Sequence, residues 1–167
     1  MRQQEMFPNK GDIIHEMREK VMSKAREKGC ECPICDQFVK IYKRKINSTM
    51  AQQIIEARRK FGSNIFHVGN LKSGPQTGGG DFAKLLYWSL IEEKPWEKGQ
   101  MGKRTSGEWC LTQKGIDFCD GKIKLPEYAL IYNGECMGFS EKQCTIQGCL
   151  GDKFDYNELM LGEKTKG

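Results

Sequence analysis

Apolar residues recur at three- and four-residue spacing along two long stretches of the chain and one shorter one. Over residues 11–28, Ile13, Ile14, Met17, Val21 and Met22 form a narrow stripe. Lys24, Arg26 and Lys28 crowd the end where cations suit the helix dipole, and Gly29 is the stop, so this stretch predicts a helix. Over 49–61 the inner face is Met50, Ile54, Ile55 and Phe61, with Asn47 or Ser48 as cap and Gly62-Ser63-Asn64 as break. From Phe82, helical spacing gathers Phe82, Leu85, Leu86, Ser89 and Leu90 on one half and leaves Lys84, Tyr87 and Trp88 on the other. Tyr87 and Trp88 either face outward there or pack under the following loop or against the N-terminal helix, as large aromatics usually find cover. This third helix is predicted to run into Ile91-Glu92-Glu93. Leu71 is assigned to a short helix before the Gly78-Gly79-Gly80 run.

Between the helices lie runs rich in β-branched and aromatic residues: Phe38 to Tyr42, Ile65 to Val68 and Trp109 to Leu111. The last passes through Thr112 into a helix carrying Ile116 and Phe118. Tyr128–Tyr132 and Glu135–Phe139 flank Asn133-Gly134, a dipeptide suited to the two-residue hairpin turn, and Pro126 is expected to open that hairpin. Short helices are predicted over Ile146–Leu150 and Tyr156–Leu161, before a disordered Glu163–Gly167 end. The pattern predicts an α+β chain in three segments. Residues 1–47 hold a helix, a cysteine knuckle and a basic strand, 48–121 a helix-strand-helix-loop-strand-helix core, and 122–167 a hairpin with a helical tail.

With 167 residues, 38% of them hydrophobic, the chain has room for one ordinary domain or two small ones. No apolar run approaches a membrane span, and Met1–Met6 lacks the apolar stretch of a secretory signal. A cytoplasmic location without membrane contact is expected. The eight cysteines then read as reduced thiols or metal ligands, not as a disulfide framework. The net charge of +5 is unevenly spread: residues 1–60 carry 14 Lys and Arg against 8 Asp and Glu, and the remainder is slightly acidic. Two basic knots stand out, Lys40 with Lys43, Arg44 and Lys45, and Arg58-Arg59-Lys60. Such a patch suits an acidic partner such as nucleic acid, or is simply a solvated face.

Cys32-Pro33-Ile34-Cys35 has the spacing of a zinc knuckle, in which two thiolates grip one tetrahedral metal while the amides of the turn face the sulfurs. Cys30 and His67 are the candidates to complete the set, Cys136 is an alternative, and His15 lies too far along its helix. A zinc held by Cys30, Cys32, Cys35 and His67 would be structural, tethering the N-terminal helix to the basic strand. The competing reading is thiol redox chemistry, but there the first cysteine follows a strand and opens a helix, whereas this motif follows a helix. Unliganded thiols are the third reading. Cys110 and Cys119 occupy core-like positions, where a buried free thiol is expected.

Catalytic signals are sparse. Only His15 and His67 could serve histidine-based chemistry, Gly74–Gly80 lacks the Lys-Ser/Thr of a phosphate loop, and no His-x-Glu accompanies the cysteines as in zinc deaminases. A non-enzymatic protein is expected.

The order helix, loop, strand, helix over 81–121, closing on Leu111-Thr112-Gln113-Lys114-Gly115, resembles the second half of a winged helix-turn-helix domain of the broad class that includes MarR- and PadR-type regulators. The resemblance covers 48–121 and implies DNA binding, most often to a duplex. It casts Lys84 and Tyr87 as recognition-helix contacts and Lys103 and Arg104 as wing contacts, while the two basic knots offer Lys43, Arg44, Lys45, Arg58 and Arg59 as phosphate contacts. Unlike those regulators, the chain carries no long C-terminal dimerisation helix. Across the whole chain, the succession Cys32-Pro33-Ile34-Cys35-Asp36-Gln37-Phe38-Val39-Lys40, Asp81–Leu85, Leu111–Gly115 and Tyr132-Asn133-Gly134 is similar to small uncharacterised proteins of phages and prophages. That similarity implies action in a host cytoplasm. Winged helices also bind proteins, so the alternative is a phage inhibitor engaging a host nucleic-acid or defence enzyme.

Overall fold

A computed structural model describes residues 9–72, 81–94 and 107–162. In chain order it contains α1 (Lys10–Glu27), β1 (Cys30–Glu31), β2 (Phe38–Val39), β3 (Tyr42–Lys45), α2 (Ser48–Phe61) and β4 (Phe66–His67). A 3-10 turn (Val68–Asn70) and a 3-10 helix (Phe82–Trp88) lead to β5 (Ile91–Glu93), β6 (Glu108–Leu111) and α3 (Gln113–Cys119). β7 (Leu125–Pro126), β8 (Tyr128–Tyr132), β9 (Glu135–Phe139), β10 (Gln143–Cys144), α4 (Ile146–Leu150) and α5 (Tyr156–Leu161) follow. The sheets are small: β1–β2, β7–β10, β3–β8–β9 and β4–β6–β5. The predicted α+β class holds.

The chain divides into two compact units, one running to Lys43 and including Leu130–Met137, the other comprising Arg44–Ala129 and the chain from Gly138 onward. In the first, Asn9 caps α1 by accepting from the Gly11 amide at 3.4 Å. Only the last part of the predicted stripe is covered. Ala25 is fully buried with Val39 and Ile41, flanked by Val21 and Met22, while Ile13 and Ile14 are 42% and 60% exposed. The Ile41 amide donates to the Ala25 carbonyl at 2.9 Å and fixes the chain after β2 to the helix. β1 and β2 pair antiparallel, Cys30 opposite Val39 and Glu31 opposite Phe38. In the same unit Asn133 and Gly134 take φ of 49° and 79°, the left-handed pair that a tight hairpin requires.

In the second unit, Asn47 Oδ1 accepts from the Met50 amide at 2.8 Å and starts α2, which packs against α3, α4 and α5. Its inner face buries Met50, Ala51, Ile54, Ile55 and Ala57. A line of rings extends the core: Phe61 stacks on Phe66 at 5.0 Å, Phe66 meets Phe82 edge-on at 5.8 Å, and Phe82 meets Trp109 at 6.4 Å.

Several sequence expectations are corrected here. The helix predicted from Phe82 to Glu93 is a 3-10 helix ending at Trp88, and Ile91–Glu93 is a strand. Ser89 adopts a left-handed φ of 58°, and the chain beyond it pairs with β6, Ile91 opposite Leu111 and Glu93 opposite Trp109. Two adjacent apolar residues, Leu90 and Ile91, are both buried. A turn into a strand achieves that and supplies a ladder for the backbone, so tertiary pairing overrides helical spacing. Trp88, placed on the outer half by that spacing, is buried and donates from Nε1 to the Pro126 carbonyl at 2.8 Å. Pro126 opens no hairpin but belongs to β7, whose partner is β10. Leu71 is the buried cap of the Val68–Asn70 turn and not part of a helix. Gly78–Gly80, the wing residues Lys103 and Arg104, and Glu163–Gly167 lie outside the described residues.

Candidate nucleic-acid interface and cysteine sites

The Leu-Thr-x-Lys-Gly element has a definite mechanical task. Leu111 ends β6 in the core. Thr112 Oγ1 donates to the Ser89 carbonyl at 2.7 Å and accepts from the Gly115 amide at 3.0 Å, which caps α3. The Thr112 amide donates to the Leu90 carbonyl at 3.1 Å. Gly115 is buried with its Cα facing the Leu90 carbonyl, where a side chain has no space. The element therefore clamps the end of the Phe82–Trp88 helix against the start of α3.

The basic candidates fall into three environments. Lys43, Arg44 and Lys45 lie on β3, every residue of which is exposed, behind Tyr42 at 52% exposure. Among the described residues none of these three cations has a salt-bridge partner, and Lys40 Nζ stands 5.6 Å above the Tyr42 ring. Arg59 is exposed at the end of α2. Arg58 is engaged: its Nε and Nη2 donate to the Asp120 carboxylate at 3.2 and 3.3 Å, tying α2 to the end of α3. The guanidinium hydrogen bonds hold the Asp120 carboxyl below the usual range. Lys84 is half-buried and pairs with Asp81, while Tyr87 is half-buried with its ring tilted against Trp88 at 6.4 Å. The predicted recognition helix thus exposes less than its sequence suggests, whereas β3 is exposed throughout, as its charge run suggests.

The knuckle forms the tip of the β1–β2 hairpin. The Cys32 amide donates to the Gln37 carbonyl at 2.8 Å and the Asp36 amide to the Cys32 carbonyl at 2.9 Å, with Asp36 in a left-handed conformation. Amides of Ile34 and Cys35 point at the Cys32 sulfur and, with the Cys35 thiol, hold its pKa below that of an ordinary thiol. The other two proposed ligands have hydrogen-bond partners of their own. The Cys30 thiol donates to the Val21 carbonyl at 3.6 Å. His67 belongs to the second unit, where its Nδ1 accepts from the Gly69 amide at 3.0 Å. Among the described residues no group of three or more His, Cys, Asp or Glu side chains comes together as a metal site. Cys32 and Cys35 alone suit a metal, as half a donor set.

Of the remaining thiols, Cys119 is fully buried, donates to the Ile54 carbonyl at 3.6 Å, and has its pKa pushed up to about 12 by burial. Cys110 is half-buried, not sealed, and burial raises its pKa too. A second cysteine pair escaped sequence reasoning. Cys149 donates its thiol proton toward Cys144 Sγ at 3.4 Å. The available signal was a five-residue separation spanning the end of β10 and the last turn of α4, which is much weaker than a Cys-x-x-Cys motif. No helix among the described residues is long and apolar enough to cross a membrane. Comparison with protein-family models, curated proteins and solved structures finds no match to the chain.

Proposed function

We propose that this protein binds nucleic acid without catalysing a reaction, through β3 and a winged helix-turn-helix variant formed by residues 48–121. The observation that carries it is β3 itself, a run Tyr42-Lys43-Arg44-Lys45 in which an exposed aromatic heads three exposed cations that have no salt-bridge partner among the described residues. Cations left free of carboxylates keep their charge available for phosphate, and an exposed ring offers a stacking face. The winged-helix part draws support from connectivity. A helix (α2) precedes β4, a second short helix lies between β4 and β5, and β6 returns through a long connection to the centre of an antiparallel sheet ordered β4–β6–β5. Lys84, Tyr87 and Arg59 are supporting contacts, and Arg58 holds the fold. A zinc ion at Cys32 and Cys35 would stiffen the hairpin tip beside this strand in sequence.

Fluorescence anisotropy of the full chain on a labelled duplex and a labelled single strand, across a salt series, tests this reading. Micromolar binding that weakens steeply with salt supports it; no binding at low salt refutes it. A second reading, docking to a protein, is favoured by one observation, the exposure of Ile34 (74%) and Phe38 (61%) on the knuckle hairpin. Binding to host proteins that survives high salt and fails in Ile34→Ser would select that reading.

A further inference from the structure

We infer that Cys144 and Cys149 form a redox-active dithiol that exchanges with small disulfides of the glutathione type, Cys144 attacking and Cys149 resolving. The two sulfurs lie 3.4 Å apart, so closing to a bond of about 2.05 Å needs only a small movement of the side chains. The backbone already holds them face to face. Cys144 is fixed on β10 opposite Leu125, and Cys149 is fixed on α4 by its amide donating to the Thr145 carbonyl at 3.0 Å. Thr145 in turn caps α4 by accepting from the Gly148 amide at 3.1 Å.

Both cysteines are half-buried and share the wall of an open cleft of about 550 Å³ that Lys45, Glu127, Asp152 and Lys153 also line. The pair is therefore reachable by a peptide-sized reagent, unlike the sealed Cys119. The direction of the hydrogen bond separates the roles. The Cys149 thiol donates to Cys144 and holds it below the usual thiol range, aided weakly by Lys142 and opposed by burial and Glu127. Cys149 keeps its proton, its pKa raised first by that same bond and then by burial.

The chemistry balances. The Cys144 thiolate attacks one sulfur of the disulfide RSSR, the S–S bond of the reagent breaks, and RS⁻ leaves with a mixed disulfide on Cys144. Cys149 gives its proton to the departing thiolate, and its sulfur attacks Cys144 Sγ. The mixed S–S bond breaks and the second RS⁻ leaves, taking a proton from solvent. The protein dithiol loses two electrons and the small disulfide gains them, yielding two RSH.

The test uses the reduced full chain in its folded state, exposed to oxidised glutathione, quenched with acid, alkylated and mapped by peptide mass. The expected product is an intramolecular Cys144–Cys149 disulfide whose yield does not depend on protein concentration. The Cys149→Ser variant should trap glutathione on Cys144, whereas Cys144→Ser should leave Cys149 modified roughly tenfold more slowly. The wild-type mapping needs no variant and stands if either variant fails to fold. Recovery of Cys144 and Cys149 as two alkylated thiols while the Cys32–Cys35 pair oxidises would overturn the assignment. So would a glutathione adduct that forms on Cys149 in preference to Cys144.

Discussion

Replacing Gly115 by alanine should destabilise the second unit through one backbone collision. A Cβ at position 115 would fall inside the van der Waals envelope of the Leu90 carbonyl oxygen and lie 3.0 Å from its carbon. The obstacle is main chain, so no rotamer can relieve it. Leu90 is held from both sides, its amide by the Leu85 carbonyl at 3.3 Å and its carbonyl by the Thr112 amide at 3.1 Å. Overpacking of this kind costs about 1–3 kcal/mol or more, and alanine returns about 1 kcal/mol of helix propensity. A net loss of about 1 kcal/mol would lower Tm by roughly 2–4 °C for a chain of this size.

Gly148 supplies an internal control. It too follows a threonine cap by three residues, with its amide 3.1 Å from Thr145 Oγ1, yet a Cβ there meets only that oxygen, at 3.4 Å. Gly148→Ala should therefore be neutral or slightly stabilising. Thermal unfolding of the two variants side by side, followed by circular dichroism, reads the difference. Midpoints agreeing within about 1 °C would show that the Gly115–Leu90 approach is not the reason for glycine at 115.

Other perturbations follow from particular contacts. Asp120 is held below its usual carboxylate pKa chiefly by Arg58, with Lys122 adding to the effect. The stabilisation is full above the unfolded-state pKa of about 4 and is lost as pH falls through the lower native value. The stability difference between wild type and Asp120→Asn, about 1 kcal/mol at neutral pH, should thus shrink as pH drops from about 5 to about 2; a urea-midpoint difference constant over that range would contradict it. Tyr156→Phe removes the 2.6 Å hydrogen bond from the phenol to the Cys119 carbonyl between α5 and α3 and should cost about 1 kcal/mol; an unchanged urea midpoint would refute it. If zinc occupies the knuckle, elemental analysis of the purified chain finds it in stoichiometric amount, and Cys32→Ser or Cys35→Ser abolishes it. Equal zinc in wild type and variants would place the metal elsewhere.

Much of the secondary structure was legible because local rules agreed with tertiary demand. α1 and α2 carry caps and apolar periodicity, Asn133-Gly134 marks its own turn, and Thr112 and Thr145 each begin a short helix where sequence places one. The failure at Ser89–Glu93 has a definite cause. Helical spacing from Phe82 covers Leu90 but leaves Ile91 on the opposite half, and burial of both is secured only by pairing with β6, whose partner residues Trp109, Cys110 and Leu111 lie far along the chain. Burial of Trp88 agrees with the tendency of large aromatics to find cover, but its acceptor, the Pro126 carbonyl, is a group that composition and periodicity do not locate. Among site residues, exposure on β3 was legible from the charge run. The commitment of Arg58 to Asp120, and the approach of Cys144 to Cys149, depend on how α2, α3, β10 and α4 pack.

The most direct measurement compares the salt dependence of nucleic-acid binding by the wild type and by Lys43→Ala/Arg44→Ala/Lys45→Ala, in the same anisotropy assay and on the same duplex. Three phosphate contacts on β3 correspond to a change of about 2–3 in the slope of log affinity against log salt. The variant should lose affinity at low salt and show a flatter slope by that amount, with its far-UV circular dichroism unchanged. A variant that binds with wild-type affinity and slope would remove β3 from the interface, and a wild type that fails to bind the duplex even at low salt would contradict the reading of this chain as a nucleic-acid binder.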